Sequence, residues 1–266
     1  MRVGVLGAGG RVGQVLCREL LDQADLELAV AVDPRLAGID LGQVIGRPAG
    51  GIVIVGDLEE AIRRRVDVVV DFSVAEAARV ALVRLAKADI PAVVGTTGFR
   101  DEDLAAVAAA YEHSQVGCII ASNFSIGAIL LERCVRLVAP YADAIEIIEA
   151  HHNAKVDAPS GTARELADIA ARARADAQAG PLAPDPTQRE VLEGARGAAA
   201  AAGIHIHSLR LEGALAHHEV VIGLRGQTLT VRHDTLDRSS FVPGVLLALR
   251  RIGEVRGLLL GIDSLL

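Results

Sequence analysis

Apolar residues fall in short unbroken blocks through the first half of the chain. "RVGVLG" (2–7), "LELAVAVD" (26–33), "GIVIVGD" (51–57), "VDVVVDFS" (66–73), "PAVVGTTG" (91–98) and "GCIIASNFS" (117–125) are rich in Val and Ile, and each ends at or near a Gly, Asp or Ser. Blocks of this length without polar alternation predict strands covered on both faces. The stretches between them, "VGQVLCRELLDQ" (12–23), "LEEAIRR" (58–64), "VAEAARVALVRLAKAD" (74–89) and "EDLAAVAAAYEHS" (102–114), space their apolar residues as helices do. Strands alternating with helices imply a parallel sheet with helices on both faces, a Rossmann-type α/β domain over residues 1–122.

The pattern then changes. "IGAILLERCVRLVAPYA" (126–142) predicts a helix, "AIEIIEAHH" (144–152) a strand, and "TARELADIAARARADA" (162–177) a second helix. Residues 180–203 are rich in Pro, Gly and Ala and too long for an ordinary connection, so they predict a functional flap or a mobile segment. Three further strands, "IHIHSLRLEG" (204–213), "ALAHHEVVIGLRG" (214–226) and "QTLTVRHDTL" (227–236), are joined by short Gly-containing turns that suggest antiparallel pairing. Residues 123–235 therefore form an α+β domain with a mixed or antiparallel sheet. The tail, 236–266, holds an apolar helix and a short closing strand that could pack on either domain.

Composition narrows the function. Hydrophobic residues make up 51% of the 266 but aromatics only 2%, so the core is aliphatic and stacking on bases has few side chains to use. The net charge of −7 argues against a nucleic-acid partner. It also means that an anionic ligand needs a local cationic cluster. No apolar run reaches the ~18 residues of a membrane span, and Gly and Arg11 interrupt the N-terminal apolar patch too early for a signal peptide; a cytoplasmic protein is expected. Cys17, Cys118 and Cys134 have neither an even count nor metal-ligand spacing, and each is expected to be a small buried residue. No metal is expected.

Two stretches carry chemistry. In "GAGGRVG", Gly7, Gly10 and Gly13 stand between a strand and a helix. Gly7 permits a tight turn, bare backbone lets a pyrophosphate approach, and free amides at the helix start bind it. Asp33 ends the second strand 20 residues beyond Gly13, where a carboxylate accepts from adenosine ribose hydroxyls. Asp33 favours NAD, while Arg35 could offset repulsion of a 2′-phosphate, so NADH or NADPH is the expected cofactor. "GTTG" and "SNFS" end two later strands where open sheets bind ligands; Gly95 can admit the nicotinamide ribose and Thr97 can donate a hydroxyl. In "HHNAKVDAPSGTARE", Pro159 delays the helix, and Ser160 or Thr162 can cap it, Thr162 with Glu165 as a capping box. The same Ser160, Gly161 and Thr162 offer free amides to an anion, and Lys155 adds full charge. His151 and His152 point to opposite faces while the strand persists, and histidine is the side chain best suited to proton exchange near neutrality.

Together "GAGGRVG", "DFS", "VVGTTGF", "ASNFSIG", "EAHHNAKVDAPSGTA" and "RHDTLDRSSFVPGVLLALR" resemble the 4-hydroxy-tetrahydrodipicolinate reductase (dihydrodipicolinate reductase) family of diaminopimelate and lysine biosynthesis, over essentially the whole chain. The resemblance implies NAD(P)H-dependent reduction of a small cyclic dicarboxylate. It also implies a homotetramer built through the C-terminal sheet and a tail, 236–266, that returns to the first domain. It makes His151 the proton donor and acceptor, Lys155 the second donor, and His152 with Gly161 and Thr162 the substrate carboxylate site. Gly7, Ala8, Gly9, Gly10, Arg11, Val12, Asp33, Gly95, Thr96, Thr97, Ser122, Asn123 and Phe124 become the cofactor site. Many members carry an Arg directly after the acidic residue; here Pro34 intervenes before Arg35. Arg238 is a candidate support for the site, with an interdomain ion pair equally open. The rival readings are another small-acid imine or amino-acid dehydrogenase, and a non-catalytic NAD(P)H-sensing protein.

Overall fold

A computed structural model describes all residues, Met1–Leu266. The chain divides into two compact units, Met1–Ile126 with Arg238–Leu266, and Gly127–Asp237.

The first unit runs β1 (Arg2–Leu6), α1 (Arg11–Leu20), β2 (Glu27–Val32), α2 (Leu41–Ile45), α3 (Glu59–Arg63), β3 (Val68–Asp71), α4 (Ala75–Lys87), β4 (Ala92–Val94), α5 (Asp101–Glu112) and β5 (Gly117–Ile120). The second adds α6 (Ile126–Val138), which begins at the boundary, then β6 (Ala144–His151), α7 (Gly161–Asp176), β7 (Ala198–Ala199), β8 (His205–Arg210), β9 (Ala216–Leu224) and β10 (Gln227–Thr235). The chain then returns to the first unit with α8 (Val242–Arg251) and β11 (Gly257–Leu260).

The first sheet is parallel, in the order β11-β5-β4-β3-β1-β2. β3 and β5 are buried throughout, as their unbroken apolar runs require. Leu82, Leu85, Val107 and Tyr111 from α4 and α5 pack against Val69, Val94 and Cys118. The tail strand β11 lies beside β5 in register Leu258 to Cys118, so it extends this sheet at its edge. The order reverses at β1, with β2 on one side and β3 on the other. That is the switch point where open α/β sheets leave a crevice at the strand carboxyl ends.

One expected strand is absent. "GIVIVGD" makes only single bridges, Val55 to Val32 and Val53 to Asp40. Glycines at 50, 51 and 56 cut the run too short for a ladder. The short helix α2, capped by Asp40 on the Gly42 amide, was not visible in the periodicity.

The second sheet has the order β10-β9-β6-β8-β7. β9 and β10 form the expected hairpin, but β8 and β9 do not pair. β6 lies between them, parallel to β8 and antiparallel to β9. A short turn fixes only direction; β6 takes the centre because its inward face (Ile145, Ile147) is what the helices bury. Leu131 and Val135 of α6 and Leu166 and Ala170 of α7 pack with Ile147, Ile206 and Val220 on that face. Residues 180–197 have no regular structure. Arg196 joins the loop to β6 through Glu146 (2.5 Å) and closes on Asp185 within the loop (3.2 Å). Cys17 and Cys118 are buried, but Cys134 is exposed, because its position on α6 faces away from the sheet.

Candidate functional site

The first unit presents a cleft of about 610 Å³ at the carboxyl edge of its sheet, bordered by Gly7, Gly10, Asp33, Arg35 and Phe72. Gly7 has φ +76°, and a Cβ there would lie 2.5 Å from the Phe72 carbonyl oxygen. Gly13 is the third residue of α1, and a Cβ on it would run into the Gly7 carbonyl. The turn from β1 to α1 is therefore closed to side chains at both ends. Gly10 starts α1 with no side-chain cap, so the Arg11 and Val12 amides point outward with no partner in the helix. Asp33 is buried: one oxygen accepts from the Gly9 amide (3.1 Å), the other from the Arg35 amide (3.0 Å). The Arg35 side chain is 80% exposed and its Nε lies 3.5 Å from the Asp33 carboxylate. A helix start with free amides beside a buried carboxylate at the end of β2 is an arrangement that fits a dinucleotide.

The later strand ends lie on the same edge, though they do not line this cleft. The Gly95 amide bonds to the Asp71 carbonyl (2.9 Å), and a Cβ at Gly95 would collide with the Phe72 ring. Phe72 and Phe124 meet with ring centroids 6.0 Å apart, and α8 presses so closely that Gly244 abuts the Phe124 carbonyl. Asn123 turns the chain by accepting from the Ser125 amide (2.8 Å). Arg238 lies in a 3₁₀ turn at the start of the tail.

Asp71 holds two of these turns together. It is fully buried, and its Oδ1 accepts from the Ser73 amide (2.8 Å), the Ser73 hydroxyl (2.6 Å) and the Thr96 hydroxyl (2.8 Å). Its Oδ2 has no partner. Burial raises its pKa above the ordinary 3.8, against the pull of the Ser73 and Thr96 hydrogen bonds. An acid raised in the folded state favours folding below its unfolded pKa, and that contribution is lost as pH rises through the folded value. Asp71→Asn keeps the acceptor and removes the titration. Its melting temperature relative to the parent is expected to climb as pH rises from about 4 to 8; a gap that stays constant in that range would refute the raised pKa.

In the second unit the chemistry gathers at the end of β6 and the start of α7. Alternation on β6 puts Ile145, Ile147, Glu149 and His151 on the helix-covered face. His151 is 8% exposed and Glu149 fully buried. His151 Nδ1 lies 2.5 Å from Glu149 Oε2. Arg210 of β8 clamps both Glu149 oxygens (2.9 and 2.8 Å), and the Ser160 amide donates to Oε1 (3.2 Å). Burial works to raise the Glu149 pKa, but bonds from Arg210, Ser208 and His151 outweigh it and hold the group at about 2. Burial lowers the His151 pKa, and Lys155 and Arg210 add to this against Glu149. His218 of β9 stands edge-on to His151 (centroids 5.3 Å) and is pushed to about 4, chiefly by burial.

Ser160 is the helix cap, accepting from the Ala163 amide (3.2 Å), and its hydroxyl also meets His218 Nε2 (3.1 Å). The Thr162–Glu165 capping box does not form: Thr162 already lies inside the helix and Glu165 pairs with Arg172. The amides of Gly161 and Thr162, in the first turn of α7, have no partner in the chain, and open space surrounds the Gly161 Cα. Lys155 Nζ sits on the Asp157 carboxylate (2.8 and 2.9 Å). His152, the first residue past β6, is exposed.

Comparison with known proteins decides the relationship. Residues 1–124 match the family profile "Dihydrodipicolinate reductase, N-terminus" and residues 127–266 match "Dihydrodipicolinate reductase, C-terminus". The chain belongs to the dihydrodipicolinate reductase family. It is 44% identical over 268 residues to the 4-hydroxy-tetrahydrodipicolinate reductase of Moorella thermoacetica, covering 100% of this chain and 98% of that one. The same enzyme of Cutibacterium acnes is 41% identical, again over 100% of this chain and 98% of the relative. Among solved structures, a dipicolinate-bound dihydrodipicolinate reductase from Paenisporosarcina sp. TG-14 superposes with TM-score 0.86 at 36% identity, over 100% and 99% of the two chains. An amine dehydrogenase from Mycobacterium smegmatis shares the fold alone (TM-score 0.66, 15% identity, 99% and 95% covered).

The sequence reading missed Glu149, Arg210, His218 and Asp157. Glu149 had a readable signal, an acid on the inward parity of "AIEIIEAH". His218 had the same one, inward with Val220 and Ile222 in "AHHEVVIG". Arg210 had none, because only the pairing of β8 with β6 brings it to Glu149.

Proposed function

We propose that the protein reduces 4-hydroxy-tetrahydrodipicolinate to tetrahydrodipicolinate with NADH or NADPH, in diaminopimelate and lysine biosynthesis. The observation that carries the reading is the segment 151–162. Within it stand a buried imidazole, an ammonium group and the unpartnered amides of a helix start. A doubly negative ring on a chain of net charge −7 needs this local concentration of donors.

The roles follow from these contacts. The Gly161 and Thr162 amides, at the positive end of the α7 dipole, hold one carboxylate, with exposed His152 and the Ser160 turn shaping the site. Gly7 to Val12, Asp33, Arg35, Gly95 to Thr97 and Ser122 to Phe124 hold the dinucleotide, which when bound supplies the hydride. Reduction at C4, after loss of the hydroxyl as water, leaves negative charge shared between C5 and the ring nitrogen. Lys155 stabilises that charge as its ammonium. Burial lowers the His151 pKa and so favours its neutral form in the free site; a bound dianion raises its affinity for a proton, which it then passes on from Nε2.

The outer face of the second sheet exposes Leu209 by 44% and, just beyond β8, Leu211 by 45%. We infer that copies meet there as a homotetramer. Light scattering is expected to give the mass of four chains, and a single-chain mass would refute it. No helix is long and apolar enough to cross a membrane; a biosynthetic reductase of this kind works in the cytoplasm.

The functional test supplies the aldolase-type condensation product of pyruvate and aspartate semialdehyde and follows loss of nicotinamide absorbance. Substrate-dependent oxidation of NADH or NADPH is expected. No oxidation with either would remove the assignment, and oxidation with other imino acids alone would favour an amino-acid or imine dehydrogenase.

A further inference from the structure

Glu149 is a carboxylate with no exposed surface, set on the face of β6 that otherwise carries Ile145 and Ile147. Leaving such a charge without partners would be strongly destabilising, so its partners report why it is there. Arg210 engages both oxygens and then donates onward to the Asp157 carbonyl (2.7 Å) and to its neighbour Leu209 (2.6 Å). The Ser160 amide takes part of Oε1, which ties the carboxylate to the start of α7. The remaining direction of Oε2 points at His151 Nδ1, 2.5 Å away.

We propose that Glu149 is the positioning residue for His151: it fixes the imidazole as the Nδ1–H tautomer and leaves Nε2 as the atom that exchanges the proton. An ionised carboxylate can only accept, so the hydrogen between the two groups belongs to the ring. The Arg210 clamp keeps Glu149 from rotating or taking up that hydrogen itself. The ring has one further wall, the edge-on His218, whose own Nε2 is engaged by Ser160. The charged and titratable groups facing His151 are thus Glu149 on its strand, Arg210 from β8, His218 from β9, and Lys155, itself paired with Asp157, from the following loop. Only Glu149 is a carboxylate in contact with the ring. The same segment therefore serves two ends: the Ser160 turn that opens the substrate amides of α7 is anchored on the carboxylate that orients the proton carrier.

This rests on the proposed role of His151, and the test separates the two. Nitrogen-15 NMR of the histidines in the unmodified protein, with His151 assigned by its disappearance in His151→Gln, reads the tautomer without turnover. Protonated Nδ1 and bare Nε2 near neutral pH are expected; a bare Nδ1 overturns the proposal. The kinetics of His151→Gln then judge the role of His151 separately, since full turnover there would refute that role while leaving the tautomer result untouched. Glu149→Gln keeps an acceptor but loses the charge. Its kcat is expected to fall about 10²-fold with KM little changed. The alkaline limb of its kcat/KM profile, where the donor loses its proton, should move to lower pH, because the charge supporting the imidazolium is gone. Glu149→Asp should recover part of the loss. An unmoved pH profile would show that Glu149 only holds the fold. Should Glu149→Gln not fold, the NMR measurement decides alone.

Discussion

Lys155→Ala lowers kcat by about 10²- to 10⁴-fold and leaves the affinity for NADH as it was. Lys155 brings a full positive charge to the segment that leads into α7, and its ammonium is held in place by both oxygens of Asp157. Removing it takes away the group proposed to meet the charge developing on the ring. It also releases Asp157, whose pKa the Lys155 hydrogen bond keeps low, so a bare carboxylate faces an anionic substrate. KM is therefore expected to rise as kcat falls. Every proposed dinucleotide contact lies in the other unit, so fluorescence titration with NADH should match the parent. Turnover at the parental rate would remove Lys155 from the chemistry. Simultaneous loss of turnover and NADH binding would point to misfolding.

Gly13→Val is expected to abolish NADH binding and to destabilise the first unit by about 3 kcal/mol. Gly13 is buried against the Gly7 carbonyl and the Ala8 Cα, where even a Cβ has no room. Two further methyl groups must push α1 away from β1. That movement displaces the Arg11 and Val12 amides, which are useful to a pyrophosphate only if they stay beside the bare backbone of Gly7. Thermal melting and NADH titration check both parts. An unchanged melting temperature with unchanged affinity would mean that the close approach at Gly13 is not what builds the site.

Gly13 and Glu149 differ in how far the sequence alone exposes them. Glycine at 7, 10 and 13 after a β-branched run could be read directly, because a side chain's absence is a local property and its consequence, a turn into a helix, is local too. His151, Lys155 and the Ser160 turn were legible for the same reason: they lie within one short stretch around a proline and a helix start. The cap itself was less so. Ser160 and Thr162 are both good caps, and the choice fell to Ser160 because its amide and hydroxyl also have Glu149 and His218 to meet.

The chain's own pattern thus determined the two kinds of sheet, the glycine turn from β1 into α1 and the gathering of His151, Lys155 and a helix start within the one segment 151–162, since each depends on neighbours in sequence. Tertiary structure alone decided that β6 separates β8 from β9, that β11 extends the first sheet, and that Arg210 and His218 arrive beside His151. Those contacts join residues about 60 positions apart through strand order. Periodicity records which face of a strand is buried and carries no information about which strand lies next to it.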